Sequence, residues 1–322
     1  MLAAKVDRLL QVVAARGAPA SPLAGNLRPV NNIVAFSGGV DSSLAAALVF
    51  RVFPASSAAC IGRSAALSAA QLQQARRVAA HIGVPLWECR TREAELEGYV
   101  ANEGRSCYHC KTTLYATLHQ VADFAWREMQ QQRQRQQDGA TGRNEEEGKV
   151  RPVLYNGTNA DDELDPTRVG LVAAAEFDVV SPLSGLSKQE VRNVAKYLGL
   201  PNWNAAASPC LRSRLQFGVE ATQQHLHRVE KAEDFVRELI QLEPQMSMRV
   251  RFLAGNKAAV ELEQEALEMA MPQFGAIDTE LRRLGFDAVD VRPFRSGSLS
   301  GYNPSSVVQH TPAADSTANE AN

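Results

Sequence analysis

Two adjacent glycines, set between an apolar run and a helix, constrain this chain more than any other feature. Residues 33–36 (Ile-Val-Ala-Phe) read as a short buried strand and residues 42–53 as a helix, with Ser37-Gly38-Gly39-Val40-Asp41-Ser42-Ser43 between them. Glycines at that position let the backbone turn tightly and approach a ligand closely. The helix that follows offers free N–H groups and the positive end of its dipole, so the turn is an anion site. The hydroxyls of Ser37, Ser42 and Ser43 reinforce it. The site lies at the carboxyl end of a strand, where open α/β sheets bind their ligands. A Walker A loop is excluded, because GxxxxGK[ST] and its lysine are absent, and the GxGxxG spacing is absent too.

The rest of the first two thirds alternates in the same way. Strand patterns at 58–61, 86–90, 153–156 and 177–180 alternate with helical patterns at 67–82, 107–129, 169–176 and 188–198, and Gly83 and Gly199 supply helix stops. Alternation of this kind means right-handed crossovers and a parallel sheet covered on both faces. Residues 130–149 interrupt it. They are Gln-, Arg- and Glu-rich, lack apolar periodicity and read as a disordered surface insertion. Around 201–207 the rhythm stops. Residues 206–302 then form a smaller α+β domain, with helices at 224–242 and 263–284 and strands at 247–253, 258–262 and 288–291. The division expected is a Rossmann-like α/β domain over 1–205, the α+β domain over 206–302, and a flexible tail over 303–322. Residues 2–16 place Leu2, Val6, Leu9, Leu10 and Val13 on one helical face. This is a docking helix or, since Lys and Arg outnumber the single Asp7, a mitochondrial targeting helix.

Composition narrows the function classes. A length of 322 residues with 45% hydrophobic content supports a sizeable core. A formal net charge of −2 excludes a generally basic coat for nucleic acid, although not a local basic patch. No run approaches the ~20 apolar residues that span a bilayer. No apolar signal-peptide core precedes the first helix. Five cysteines, an odd number without a secretory signal, argue against a disulfide framework and for free thiols in a cytoplasmic, reducing setting.

Several groups could carry chemistry. Asn156-Gly157-Thr158-Asn159-Ala160-Asp161-Asp162 follows a strand and sets two carboxylates at the same sheet edge. Cys107 and Cys110 form a CxxC at the start of a helix, a metal or redox arrangement. Cys60 and Cys89 fall on strands and read as small buried residues. Cys210 lies in a polar loop with Arg212 and Arg214 beside it, where cations favour the thiolate; it is a candidate nucleophile or sulfur ligand. Arg249 and Arg251, two apart on a strand, share one face, and paired guanidinium forks suit a phosphate or carboxylate.

The Ser37–Ser43 loop resembles the SGGxDS signature of the PP-loop ATP pyrophosphatases, the group that includes NAD and GMP synthetases. That resemblance implies ATP cleavage between the α- and β-phosphates, with Asp41 holding Mg²⁺ rather than touching phosphate directly. The ordered motifs SGGVDSS, Ser64, RSCYHCK, NGTNADD, SPLSGLSK, NWNAAASPCLRSR, MRVRF and FRSGSL are together similar to the LarE family. These are PP-loop sulfur transferases of nickel-pincer cofactor assembly. The similarity runs from about residue 2 to 299 outside the Gln/Arg-rich insertion. It implies adenylylation of a small nucleotide-like carboxylate and replacement of oxygen by sulfur. ATP and Mg²⁺ would use Ser37, Gly38, Gly39, Asp41, Ser42, Ser43, Ser64, Gly157 and Asp162. Cys210, Arg214 and Glu233 would be catalytic, and Arg249 and Arg251 would bind substrate. Cys107, Cys110 and Cys210 would hold a [4Fe-4S] cluster; zinc, with His109 as a further ligand, is the rival metal. In a second type of family member a single cysteine at the position of Cys210 gives up its own sulfur. The family's second carboxylate near the end of this domain has no counterpart here, and Asp278 stays outside the site. Homo-oligomeric assembly through residues 206–302 is also implied. A PP-loop tRNA thiolation enzyme, another adenylate-forming PP-loop ligase of the amidotransferase or synthetase kind, and a non-catalytic ATP-binding protein are the competing readings.

Overall fold

The computed structural model describes residues 2–18, 30–136, 151–165, 167–243 and 245–295. The first half is a four-stranded parallel sheet in the order β3-β2-β1-β4, built from β1 (Asn32–Ala35), β2 (Ser57–Arg63), β3 (Leu86–Arg90) and β4 (Val153–Tyr155). β1 pairs with β2 from Asn32↔Ser57 to Ala35↔Cys60 and with β4 from Asn32↔Val153 to Val34↔Tyr155. Its side chains alternate between two cores. Val34 and Phe36 face α1 (Leu2–Arg16), α2 (Val40–Val52), α3 (Ala69–Ile82) and α8 (Lys188–Tyr197). Ile33 and Ala35 face α5 (Ser106–Gln136) and α7 (Gly170–Glu176). Two four-residue helices, α4 (Glu97–Val100) and α6 (Ala160–Glu163), complete this part. Cys60 and Cys89 are buried as expected, their sulfurs 2.8 Å apart on neighbouring strands.

Local chemistry sets the element ends. Ser68 and Ser187 each close a reciprocal capping box, with Gln71 and Glu190 at the third helical positions. Gly83 ends α3 at φ 82°, a left-handed conformation that costs glycine little.

The second half is a three-stranded sheet in the order β5-β6-β7, with β5 (Met248–Leu253) antiparallel and β7 (Ala288–Pro293) parallel to β6 (Lys257–Leu262). The helices α9 (Gln223–Leu239), α10 (Gln264–Ala270) and α11 (Phe274–Arg283) cover it. Its core also draws in Ala66, from beyond the end of β2, and Tyr99 of α4, so the two halves share apolar surface. None of the described helices is long and apolar enough to cross a membrane.

Four expectations change. Residues 177–180 form no strand: Phe177 ends α7, Asp178 sits at φ 53°, and only Val180 bridges to Tyr155. Residues 130–136, expected in a disordered insertion, continue α5, since Gln and Arg are good helix formers. Residues 137–149 and the tail 303–322 lie outside the described residues. The helix expected over 263–284 is interrupted at 271–273, where Pro272 cannot donate its backbone bond. Leu2, expected on the inner face of α1, is exposed, while Val6, Leu9 and Val13 are buried.

The docking of α1 has a charge component. Lys5 Nζ pairs with the Glu190 carboxylate. That contact first, and bonds from the Ser187 N–H and hydroxyl second, hold the Glu190 carboxyl down at about 2 against an ordinary 4.5. A depressed carboxyl stabilises the fold above its unfolded value and loses that contribution as pH falls from 4.5 toward about 2. Glu190→Gln keeps the capping box and removes the charge. Its melting temperature should therefore fall less than the parent's across that window, as thermal melts in a pH series would measure.

Candidate active site

Two loops meet at the carboxyl end of β1. The first is Ser37–Gly39. Gly38 sits at φ 74°, and a Cβ on it would come within 2.7 Å of the Ala75 backbone, so the turn lies hard against α3. Gly39 is the N-cap of α2 and is exposed; a Cβ there would meet only Ser37 Oγ, at 3.4 Å. The Ser42 hydroxyl closes the turn, accepting from Ser37 N at 3.2 Å and donating to Gly39 O at 3.1 Å. Ser43 is buried and turned inward, its hydroxyl accepting from Asn202 Nδ2 at 3.0 Å. Ser64 follows β2 at the same edge and accepts from Ala66 N at 3.3 Å.

The second loop, residues 156–162, presses on the first turn of α2. A Cβ on Gly157 would lie 2.5 Å from Ser42 N and 2.6 Å from the Asp41 carbonyl carbon, so only glycine permits this approach. Asn159 caps α6 and donates from Nδ2 to Asp41 Oδ1 at 3.2 Å. The other Asp41 oxygen is held by Lys188 Nζ. Lys188 is the first residue of α8, and its backbone N–H donates to Asp161 Oδ2 at 3.0 Å. Asp162 pairs with Arg168 at 2.7 Å. Asp41 and Asp162 are therefore already paired with cations. Lys188 was missed as a functional residue, although it ends the SPLSGLSK motif.

A single segment, residues 202–214, leads from the phosphate-type loop to the thiols. Asn202 Nδ2 donates to Gly38 O at 2.8 Å as well as to Ser43 Oγ, while its buried Oδ1 has no partner among the described residues. Further along, Ala207 O accepts from Arg249, and Gln71 Nε2 donates to Ser208 O at 2.7 Å and Pro209 O at 3.2 Å. Pro209 O and Cys210 O also accept from Arg214 Nη1. Leu211 N donates to Ala66 O at 2.9 Å.

The arginines divide in role. Arg214 is buried in a two-pronged pair with Glu233, at 2.9 and 3.2 Å. Arg212, rather than Arg214, reaches the CxxC: Nη2 donates to Cys107 Sγ at 2.7 Å and Nη1 to Asn102 Oδ1 at 3.0 Å, and its buried Nε has no partner among the described residues. Arg251 is committed to Glu261 at 2.9 Å and to Ser213 O at 3.1 Å. Arg249 is buried over the Phe294 ring, and among the described residues its acceptors are the Met248 and Ala207 carbonyls. Burial, then repulsion from Arg214, lowers its guanidinium to about 10. No carboxylate among the described residues forms an ion pair with it, unlike Arg214 and Arg251.

Cys107 is exposed, whereas Cys110 and Cys210 are half-buried. Burial first, and the neighbouring Cys210 and Glu93 next, push the Cys110 thiol up to about 12. Glu93, absent from the sequence reading, is buried with Oε1 3.9 Å from Cys110 Sγ and Oε2 unpartnered. Free thiols are the donor type that a cluster takes. Among the described residues, however, no group of three or more Cys, His, Asp or Glu is gathered closely enough to hold a metal ion.

The glycine geometry can be checked directly. Gly157→Ala must displace backbone and should cost about 1–3 kcal/mol. Gly39→Ala faces open space and should cost under about 1 kcal/mol, the scale of changing a cap residue. Chemical unfolding of the two variants measures the difference.

No family model matches the chain. It is 33% identical over 274 residues to the uncharacterized protein slr1717 of Synechocystis, an alignment covering 83% of this chain and 91% of the relative. It is 26% identical over 272 residues to the pyridinium-3,5-bisthiocarboxylic acid mononucleotide synthase of Lactiplantibacillus plantarum, covering 83% and 88%. The uncharacterized protein MJ0830 of Methanocaldococcus jannaschii is 25% identical over 236 residues, covering 72% and 78%. The first two of these alignments each cover 83% of the chain, and the chain belongs to the LarE family.

Proposed function

We propose that this chain is an ATP-dependent sulfur transferase that adenylylates a small nucleotide-like carboxylate and replaces its oxygen with sulfur. The observation that carries the reading is the course of residues 202–214: one segment leaves Gly38 and Ser43 at Asn202 and ends at Cys210, beside the CxxC and the buried guanidiniums. The bisthiocarboxylic acid synthase among the relatives makes a product of the matching class.

The chemistry follows from the residues. The Ser37–Gly39 turn and the N-terminus of α2 receive the β- and γ-phosphates. Lys188 and Asp41 exchange each other for phosphate and Mg²⁺, with Asp162 and Gly157 at the same edge. A substrate carboxylate oxygen attacks the α-phosphorus, and pyrophosphate leaves. Arg249 holds the anionic end of the acyl adenylate, while Arg251 and the Arg214–Glu233 pair fix its surroundings. In the sacrificial route the Cys210 thiolate attacks the acyl carbon and AMP leaves. Elimination across Cα–Cβ then leaves the sulfur on the product and dehydroalanine on the chain. In the other route Cys107, Cys110 and Cys210 would hold a [4Fe-4S] cluster, which when bound supplies an open iron position for sulfide.

Two outcomes test this. ATP with Mg²⁺ and a pyridinium carboxylate mononucleotide should yield AMP and pyrophosphate, and Asp41→Ala should reduce turnover at least about 100-fold; ADP and orthophosphate as products would refute the reading. Cys210→Ser should still form AMP but release no thio-product. The sacrificial route makes the chain lighter by one H₂S after a single turnover. Loss of thio-product in Cys107→Ser, with no change in chain mass in the parent, would instead select the cluster route.

A further inference from the structure

Gln71 lies in the first turn of α3, outside every motif discussed so far. Its carboxamide faces two ways. Oε1 accepts from Ser68 N at 3.2 Å and closes the capping box of α3. Nε2 donates to Ser208 O at 2.7 Å, to Ser208 Oγ at 3.1 Å and to Pro209 O at 3.2 Å. A glutamate would serve the capping box equally well. Only an amide can add N–H donors to the two carbonyls that immediately precede Cys210.

The surrounding contacts agree with this division. The α3 start is joined to the second half of the molecule twice more, by Ala69 N donating to Glu230 Oε1 of α9 at 2.7 Å and by Leu211 N donating to Ala66 O at 2.9 Å. Pro209 O takes a second bond from Arg214. The stretch that carries Cys210 is thus gripped from the α3 side by Gln71 and from the β5–α9 side by Arg249 and Arg214.

We infer that Gln71 is a positioning residue that holds the Cys210 segment against the start of α3, beside the nucleotide edge of the sheet. This rests on the proposed role of Cys210 in sulfur transfer, and the test is built so that the two can fail separately. Gln71→Glu retains the capping acceptor, removes the donors and sets a carboxylate against the Ser208 and Pro209 carbonyls. Iodoacetamide labelling of the full chain, read peptide by peptide by mass spectrometry, needs no turnover.

Relative to Cys107 in the same molecule, Cys210 should label about tenfold faster in Gln71→Glu than in the parent, the scale of losing one such clamp. The melting temperature should be preserved, because α3 stays capped. An unchanged Cys210 to Cys107 ratio would overturn the assignment. So would equal acceleration at both thiols, which marks general loosening. Should Gln71→Glu fail to fold, the same ratio measured in Gln71→Leu decides between these outcomes. Failure of the parent to form thio-product would refute the proposed function and leave this measurement intact.

Discussion

Burying a guanidinium is costly unless every N–H finds an acceptor, and this molecule buries Arg214, Arg249 and Arg251. Two carboxylates, Glu233 and Glu261, answer part of that demand. Backbone carbonyls answer much of the rest, and apart from that of Met248 they belong to residues 207, 209, 210 and 213. The loop that carries Cys210 therefore has its shape because it solvates cations. Breaking one partner of such a pair leaves an uncompensated charge, at a cost of about 3–5 kcal/mol. Glu233 is tied further into β5, since Val250 N donates to its Oε1 at 3.1 Å. Strand, helix and loop are thereby locked together by a few charged groups.

Much of this was legible in the sequence. The Gly-Gly turn between strand and helix, the alternation that builds the parallel sheet, and the Gly83 stop of α3 all depend on local rules, and those rules held. Residues 177–180 misled because a short apolar run reads alike as a strand or as the tail of a helix. Pro272 was a visible break inside an otherwise continuous helical pattern. The partners of the site were harder to see. That Arg212 rather than Arg214 reaches Cys107, or that Lys188 finds Asp41 across 147 residues, depends on tertiary placement. Glu93 and Gln71 carried no spacing signal at all. One sits in a short 3₁₀ turn and the other looks like an ordinary capping residue.

The two halves are not independent bodies joined by a tether. Ala66 and Tyr99, contributed by the parallel-sheet half, pack in the core of the three-stranded half, and Asn102 Nδ2 donates to Gln216 O and Val219 O at 2.9 and 3.0 Å. An apolar core shared in this way transmits displacement, because close-packed interiors compress little. A change at the end of β2 is felt where Leu211 and Leu215 are seated.

The Lys188–Asp41 contact has an electrostatic consequence of its own. Without ligand, this edge of the sheet is an internal salt whose opposite charges cancel at close range. On the proposed reading, a magnesium-bound triphosphate presents the same two charges in the opposite arrangement. Entry is then a double exchange, in which lysine trades carboxylate for phosphate while aspartate trades ammonium for metal. An unaccompanied anion or an unaccompanied divalent ion can complete only half of that exchange and strands one partner. On that reading the pair would act as a coincidence filter, favouring the metal–nucleotide complex over either component alone.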